Sequence, residues 1–409
     1  MTVPLRRNRD FMILWTSQVV STVGTRVSSI AYPLLVLALT RSPALAGVVV
    51  FAQTLPFLLV SLPAGALVDR WDRKRLMATC EAGRALALGS IAFAVAIDRI
   101  TIAQLVVVAF VEGTLFVFFD IAEGAALPQL VTAEQLPAAM AQNQARMQGA
   151  DLVGQPLGGV LFAASRLLPF LVDAVTYALS FVALLLIRRP FQRVRETTGR
   201  RLWRDVGEGL RFVWRQPFLR TAVMLIAGMN FVSNGVALAM IIRAKDLGAS
   251  AALIGAMFAF FGGGALIGAL LAPGFQRRVP PRPAVVGITW FWTVQTAVLV
   301  LMPNAWALGI VAGIGALAGP PFNVVVGTVT YGVTPDELLG RVRSSLRIVA
   351  WGSIPFGGLT AGVLAERLGS GPALLVFSAI LLMVAVLAAM APGMRGDQST
   401  AGLVSAGQP

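Results

Sequence analysis

The 409-residue chain is 57% hydrophobic and 13% charged, with a mean hydropathy of +0.78; soluble domains carry about 25% charge, so water is not its main solvent. At about 20 residues per membrane-spanning helix, the length accommodates twelve spans joined by short loops, and a compact polytopic membrane protein is expected. The absence of histidine and a single cysteine, Cys80, exclude a His/Cys metal cluster, a histidine-based nucleophile triad and an internal disulfide.

Arg6, Arg7 and Arg9 precede an apolar run too long for a signal peptide and lacking a small-residue cleavage site, so the run reads as a retained first span. Apolar runs place spans at 11–38, 44–68, 76–97, 101–120, 147–165, 169–188, 218–242, 252–272, 284–302, 305–330, 345–365 and 372–391. With the N-terminus inside, 25 of the 33 basic residues fall on the inner side and 6 on the outer, while Arg26 and Arg84 lie within spans. This positive-inside pattern assigns the net charge of +14 to topology and to contact with anionic lipid headgroups. Nucleic acid is therefore not expected as a partner. The scarcity of lysine, only Lys74 and Lys245, points to a GC-rich bacterial genome. A bacterial inner membrane with both termini cytoplasmic follows as the expected location.

The hydrophilic stretch 189–217 separates residues 1–188 from 218–391, which implies two six-helix bundles, and 392–409 read as a flexible tail. Trp203, Val206, Leu210, Phe212, Val213 and Trp214, interleaved with arginines, suit an amphipathic helix on the inner surface. A solvated linker is the alternative. The two halves also repeat. Val131-Thr132-Ala133-Glu134-Gln135-Leu136 precedes span five and Val333-Thr334-Pro335-Asp336-Glu337-Leu338 precedes span eleven. Each is followed by a proline–glycine cluster, Pro156-Leu157-Gly158-Gly159 and Pro355-Phe356-Gly357-Gly358. Parallel duplicated halves rocking about a shared central site are the expected consequence.

Residues 65–75, with Gly65, Asp69, Arg70, Arg73 and Lys74 in register, resemble the major facilitator superfamily signature between helices two and three. The chain is most similar to the bacterial branch containing the enterobactin exporter and macrolide-efflux-like proteins. Asp72 stands where the general signature has glycine. Further matches are Phe118-Phe119-Asp120 through Ala126-Leu127-Pro128, Asp173-Ala174, and Asp336 to Val342. The resemblance implies an all-α membrane protein of twelve transmembrane helices in two pseudo-symmetric six-helix bundles. Span five, with Gly149, Gly154, Pro156, Gly158 and Gly159, is similar to a drug/proton antiporter signature, although Gln155 replaces its usual glycine. Such small residues let helices approach closely and the proline permits a bend; ordinary tight packing is the alternative. The resemblance further implies a cytoplasmic latch in which Asp69 meets the start of span eleven and Arg70 or Arg73 pairs with Asp120.

Charges within spans are costly, which singles out Arg26, Glu81, Arg84, Glu112 and Asp151. Gln18, Thr22, Thr25, Arg26 and Ser29 recur at helical spacing as a polar stripe on span one. At 1.5 Å per residue, Arg26 lies about 22 Å and Glu112 about 16 Å from opposite membrane faces. A cavity ion pair between them is expected, serving coupling or serving structure alone. Glu81 and Arg84 are three residues apart and are expected to pair locally; Asp151 falls near the inner end, as a latch member or a coupling group. Asn230, Ser233, Asn234 and Asn323 join the span-one stripe as cavity candidates, with helix-to-helix bonding as the alternative. Met257, Phe258, Phe260 and Phe261 are candidates for an apolar wall, and Trp290 and Trp292 for interfacial anchors.

Together these residues and the resemblance they carry imply a secondary transporter that exports an amphipathic small molecule, a drug or natural product, against proton entry. It would act as a monomer, without a cofactor and without chemistry on its substrate. No ATP-binding loop of the G-x-x-x-x-G-K-[ST] type occurs. Uptake or uniport by the same fold, and a non-transporting scaffold or membrane enzyme, are the alternatives.

Overall fold

The computed structural model describes residues 5–189, 191–192, 207, 211–333 and 349–390. Among these residues every regular element is helical. The first half contains α1 (Arg9–Thr40), α2 (Pro43–Leu59), α3 (Ser61–Arg70), α4 (Arg73–Ala96), α5 (Ile102–Leu130), α6 (Leu136–Ala164) and α7 (Leu168–Leu186). The second contains α8 (Pro217–Asp246), α9 (Ala251–Arg278), α10 (Pro281–Val298), α11 (Ala305–Ala316), α12 (Gly319–Val333), α13 (Ile354–Leu368) and α14 (Ser370–Met390).

The chain writes its own helix starts. Asn8, Ser42, Asp72, Thr101, Ser250 and Asn304 each accept a hydrogen bond from the backbone N–H three residues on, satisfying a donor that the helix itself leaves free. Asp72, the departure from the general signature, thus caps α4 through Arg75 N at 2.7 Å. Thr132 and Gln135 form a capping box ahead of α6. Prolines set the breaks. Pro63 cannot donate to the Leu59 carbonyl, and α2 and α3 meet at a 55° bend. Pro320 and Pro321 likewise follow the gap between α11 and α12.

Several helices outrun their apolar segments: α5 continues to Leu130, α6 begins at Leu136 and α9 reaches Arg278. Hydropathy measures the hydrocarbon depth, whereas helix length also includes the part beyond it. The polar extensions of α5 and α6 are joined by Arg146, which donates to both oxygens of Glu123 at 2.6 and 3.1 Å. By length and apolarity, nine helices among the described residues can cross a membrane and the bent α2–α3 pair makes a tenth. The expected twelve is not reached on those criteria. The start of α6 carries Gln142, Asn143, Gln144 and Gln148, and only 15 residues of α13 are described.

α1, α2 and α4–α7 pack as one bundle and α8–α14 as another, with α2 against α13 and α6 against α9 joining them. One apolar core runs through both bundles at the end that carries residues 41–42 and 247–250. Toward the opposite end it divides into separate cores, one around Met77 and Phe119 and one around Ile288 and Phe322. Phe212 and Val213 of the hydrophilic connection pack with Leu219, Val223 and Val349, while Trp214 is exposed. Trp203, Val206, Leu210, the second repeat motif at 334–338, the stretch 336–342 and the tail 392–409 lie outside the described residues.

Candidate substrate cleft and buried charge network

Side-chain size along the α2–α13 seam produces a wedge. At one end Gly362 and Gly47 abut, so that a Cβ on Gly362 would lie 2.9 Å from the Gly47 Cα. Glu366 closes this end across the bundles by accepting from Ala44 N at 2.8 Å and from the Ser42 hydroxyl. One turn further, Gly358 faces Val50 of α2 and Asn234 of α8. Beyond it the backbones are held apart by ring pairs, Phe51 with Phe356 at 5.7 Å and Phe57 with Trp351 at 5.3 Å. Gly65, at the far end, has no atom near its missing Cβ. The α6–α9 seam repeats the design: Gly159 meets Gly255 at the closed end, Gly262 meets Leu152 deeper, and Gly149 meets nothing. Gly154 and Gly158 turn instead toward α1, against Val23 and Ile30, and Gly357 packs on Gly235 of α8. Pro156 sits within α6, whereas Pro355 opens α13, where its missing N–H costs nothing.

The wedge encloses a cleft of two connected parts, about 280 and about 540 Å³, which share Gln155, Asn234, Ala237 and Phe258. The smaller part is walled by the first bundle, with Thr25, Arg26, Ser29, Gln53 and Glu112. The larger is walled by the second, with Asn230, Ser233, Asn234, Gln295, Thr296 and Asn323 among apolar and aromatic side chains. The two walls differ in charge. Among the described residues of the second bundle every ionised group lies in the first or last turn of a helix, so its wall is neutral.

The first bundle holds a buried ionic network, and it rearranges the pairs expected from sequence. Arg26 meets Asp151 at 2.6 Å, not Glu112, because Gly154 brings α6 directly against α1 at that level. Glu112 pairs with Arg84 at 3.3 Å and also accepts from Tyr177 (3.2 Å) and from Gln53 of α2 (3.0 Å). Arg84 in turn donates to Thr25 at 3.2 Å and to the Tyr177 hydroxyl. Glu81 therefore lacks the local arginine expected for it and accepts from Gln18 (3.2 Å), Ser180 (3.1 Å) and Ser21 (3.4 Å). The polar stripe of α1 divides accordingly. Gln18, only 3% exposed, points into the bundle; Thr22 bonds back to the Gln18 carbonyl; Thr25 serves both network and cleft; Arg26 and Ser29 face the cleft.

Comparison with known proteins identifies this architecture. A family model described as "Transmembrane secretion effector" matches residues 2–402. The chain belongs to that family of major facilitator transporters. It is 28% identical to the multidrug efflux pump Tap of Mycolicibacterium fortuitum, over 91% of this chain and 93% of the relative. It is 24% identical to macrolide efflux protein A of Streptococcus pyogenes, over 94% and 96%. Among solved structures, a nucleoside transporter NupG mutant superposes with a TM-score of 0.75 at 13% identity, covering 93% and 98% of the two chains. An inward-facing, occupied bacterial homologue of the human lysosomal transporter Spinster gives 0.73 at 15% identity, covering 95% and 97%. The protein is thus a multi-pass membrane transporter and not an enzyme.

In this major facilitator chain the signature loop is tied to its own bundle. Arg73 donates to the Ala125 carbonyl (2.9 Å) and to Asp69 (3.4 Å), and Lys74 to the Ile187 carbonyl (2.6 Å). Asp69 and Arg70 are exposed and Asp120 is half-buried on α5. The segment 334–348, where Asp69 was expected to dock, lies outside the described residues. In the second bundle, Asn230 donates to the Ala350 carbonyl at 2.7 Å, while Asn234 Oδ1 is buried without a donor. Phe258 and Phe261 line the cleft, Met257 is buried and Phe260 packs on Trp306. Trp292 is a cleft residue whose indole donates to the Gly315 carbonyl at 2.8 Å, not an interfacial anchor; Trp290 is exposed. Sequence reasoning missed Gln53, Tyr177, Gln295 and the full burial of Asp173. A carboxylate inside the apolar run Leu168–Leu186 was the available signal for Asp173.

Proposed function

We propose that the protein is a proton-coupled exporter of amphipathic small molecules, working by alternating access as a monomer in the bacterial cytoplasmic membrane. The carrying observation is a cleft sealed at one end, with ionised groups on one wall and neutral amides and aromatics on the other. Both termini are cytoplasmic in this reading, from the distribution of basic residues, so the present state opens inward. The efflux names of the Tap and macrolide relatives support the outward direction.

Thr25, Ser29, Asn230, Ser233, Asn234 and Asn323 meet the cargo, whose apolar surface rests on Phe258 and Phe261. A cationic cargo group competes with protons for Glu112 and Asp151, each of which already has an arginine partner to release or retake. Moving these charges between states without neutralising them would be costly. Closure on the cytoplasmic side brings Gly65, Asp69, Arg70, Arg73, Lys74 and Asp120 toward the second bundle, and opening outside separates Gly47, Gly358 and Gly362.

Counterflow of candidate compounds in proteoliposomes, with and without an imposed pH gradient, tests the reading. Accumulation against a gradient of the compound, driven by the pH difference and lost in Glu112→Gln, is expected. Equal counterflow with and without the pH difference in the unmodified protein would refute proton coupling.

A further inference from the structure

Asp173 of α7 has no place in the cleft. It is fully buried, and its Oδ1 accepts from the Thr176 hydroxyl at 3.2 Å, with Ser28 of α1 also bonded to the carboxyl. Its Oδ2 has no donor. Among the described residues, the ionisable groups around it are Tyr32 of α1, Arg84 of α4, Glu112 of α5 and Tyr177 of its own helix. The phenol of Tyr32 is itself buried without a partner. Asp173 and Tyr177 are one turn apart and share a helix face. Glu81, three residues before Arg84 on α4, also keeps one oxygen, Oε2, buried without a donor. Among the described residues, the interior between α1, α4, α5 and α7 therefore holds three buried carboxyl groups, Glu81, Glu112 and Asp173, and a single guanidinium, Arg84. Fully ionised, it would carry an excess of two negative charges in surroundings where each uncompensated ion costs several kcal/mol. Glu112 has donors on both oxygens and faces the cleft; the other two each have an oxygen free to carry a proton.

We infer that Asp173 is a second proton-holding carboxyl, shut off from the cleft, and that it exchanges its proton with Glu112 when its unpartnered Oδ2 turns from the Thr176 side to the Tyr177 hydroxyl, one turn along the same helix face and already donating to Glu112 at 3.2 Å. In one transfer the O–H bond on Asp173 breaks, the Tyr177 hydroxyl accepts that proton and passes its own to Glu112, and a new O–H bond forms there. Charge within the bundle is conserved until Glu112 releases its proton to the cleft. The coupling ion is thereby stored in the first bundle on the side of Glu112 away from the cargo. The inference deepens the proton-coupled reading, yet its test needs no cargo.

Infrared difference spectroscopy on the purified full-length protein in lipid nanodiscs reads the C=O stretch of protonated carboxyl groups. At neutral pH a protonated-carboxyl band is expected, and Asp173→Asn removes one component of it. Tyr177→Phe keeps that component but slows its isotope shift in D₂O by roughly a hundredfold, the scale of a lost proton-transfer group. An unchanged band in Asp173→Asn, or an unchanged exchange rate in Tyr177→Phe, overturns the inference. A band that responds to sodium and not to pH does so too. If proteoliposome transport ignores the pH gradient while the infrared results hold, the transport reading fails and the buried proton site stands.

Discussion

Arg84 is the residue on which the first bundle balances. It is 2% exposed, donates to Glu112, Thr25 and Tyr177, and stacks its guanidinium over the Tyr177 ring at 3.9 Å. Removing one partner of such a buried pair leaves an uncompensated charge, worth about 3–5 kcal/mol. Arg84→Met is therefore expected to lower thermal stability in detergent by about that amount, and Arg84→Met with Glu112→Leu to recover most of it. Thermal unfolding followed by intrinsic fluorescence gives both values. Arg26 and Asp151 differ, since each side chain is about one-third exposed. Asp151→Asn is expected to change stability by less than about 1 kcal/mol while reducing transport, separating a cleft charge from a structural one. At this scale the sequence revealed which residues were unusual and not whom they touch. Arg26, Glu112 and Asp151 stand out in apolar runs, but their pairing depends on helix rotation and on Gly154, which brings α1 and α6 together.

The seams set which way the helices lean. A side chain at Gly362 has no room in the present state, whereas one at Gly65 has open space around it. Opposite consequences follow for the two ends. Gly362→Leu is expected to shift the population toward the state open at the Ser42–Glu366 end, and Gly65→Leu to hold the present one. Cysteine-accessibility labelling at Asn234, from each side of the membrane, reads the shift. At this scale much was legible, because apolar runs place most of the helices directly. Helix ends were less so. Extensions such as those of α5 and α6 leave the hydrocarbon and carry polar residues, so hydropathy loses them, and they persist through pairs such as Glu123 with Arg146.

At the scale of the molecule, the described residues divide charge unequally between the halves. Ionisable groups at membrane depth gather in the first bundle, while the described part of the second offers amides, hydroxyls and aromatic rings. Asn234→Ala and Gln295→Ala are accordingly expected to change the affinity ranking among transported compounds by about tenfold for each lost hydrogen bond to a buried group, with the protons moved per molecule unchanged. Parallel measurement of compound flux and proton flux in proteoliposomes checks this. The overall architecture was readable because composition, charge asymmetry and duplication all report on the bilayer. The unequal lining of the cleft was not, since it depends on which face each helix turns inward.

The glycine contacts that seal the closed end are made by backbone against backbone, with scarcely a side chain in between. At Gly362 against Gly47 and at Gly159 against Gly255 the two bundles meet with no side chain between the backbones. Under the alternating-access reading proposed above, these two contacts can part without rotamer exchange, and the side-chain bonds to break at that end are those of Glu366 to Ser42 and Ala44.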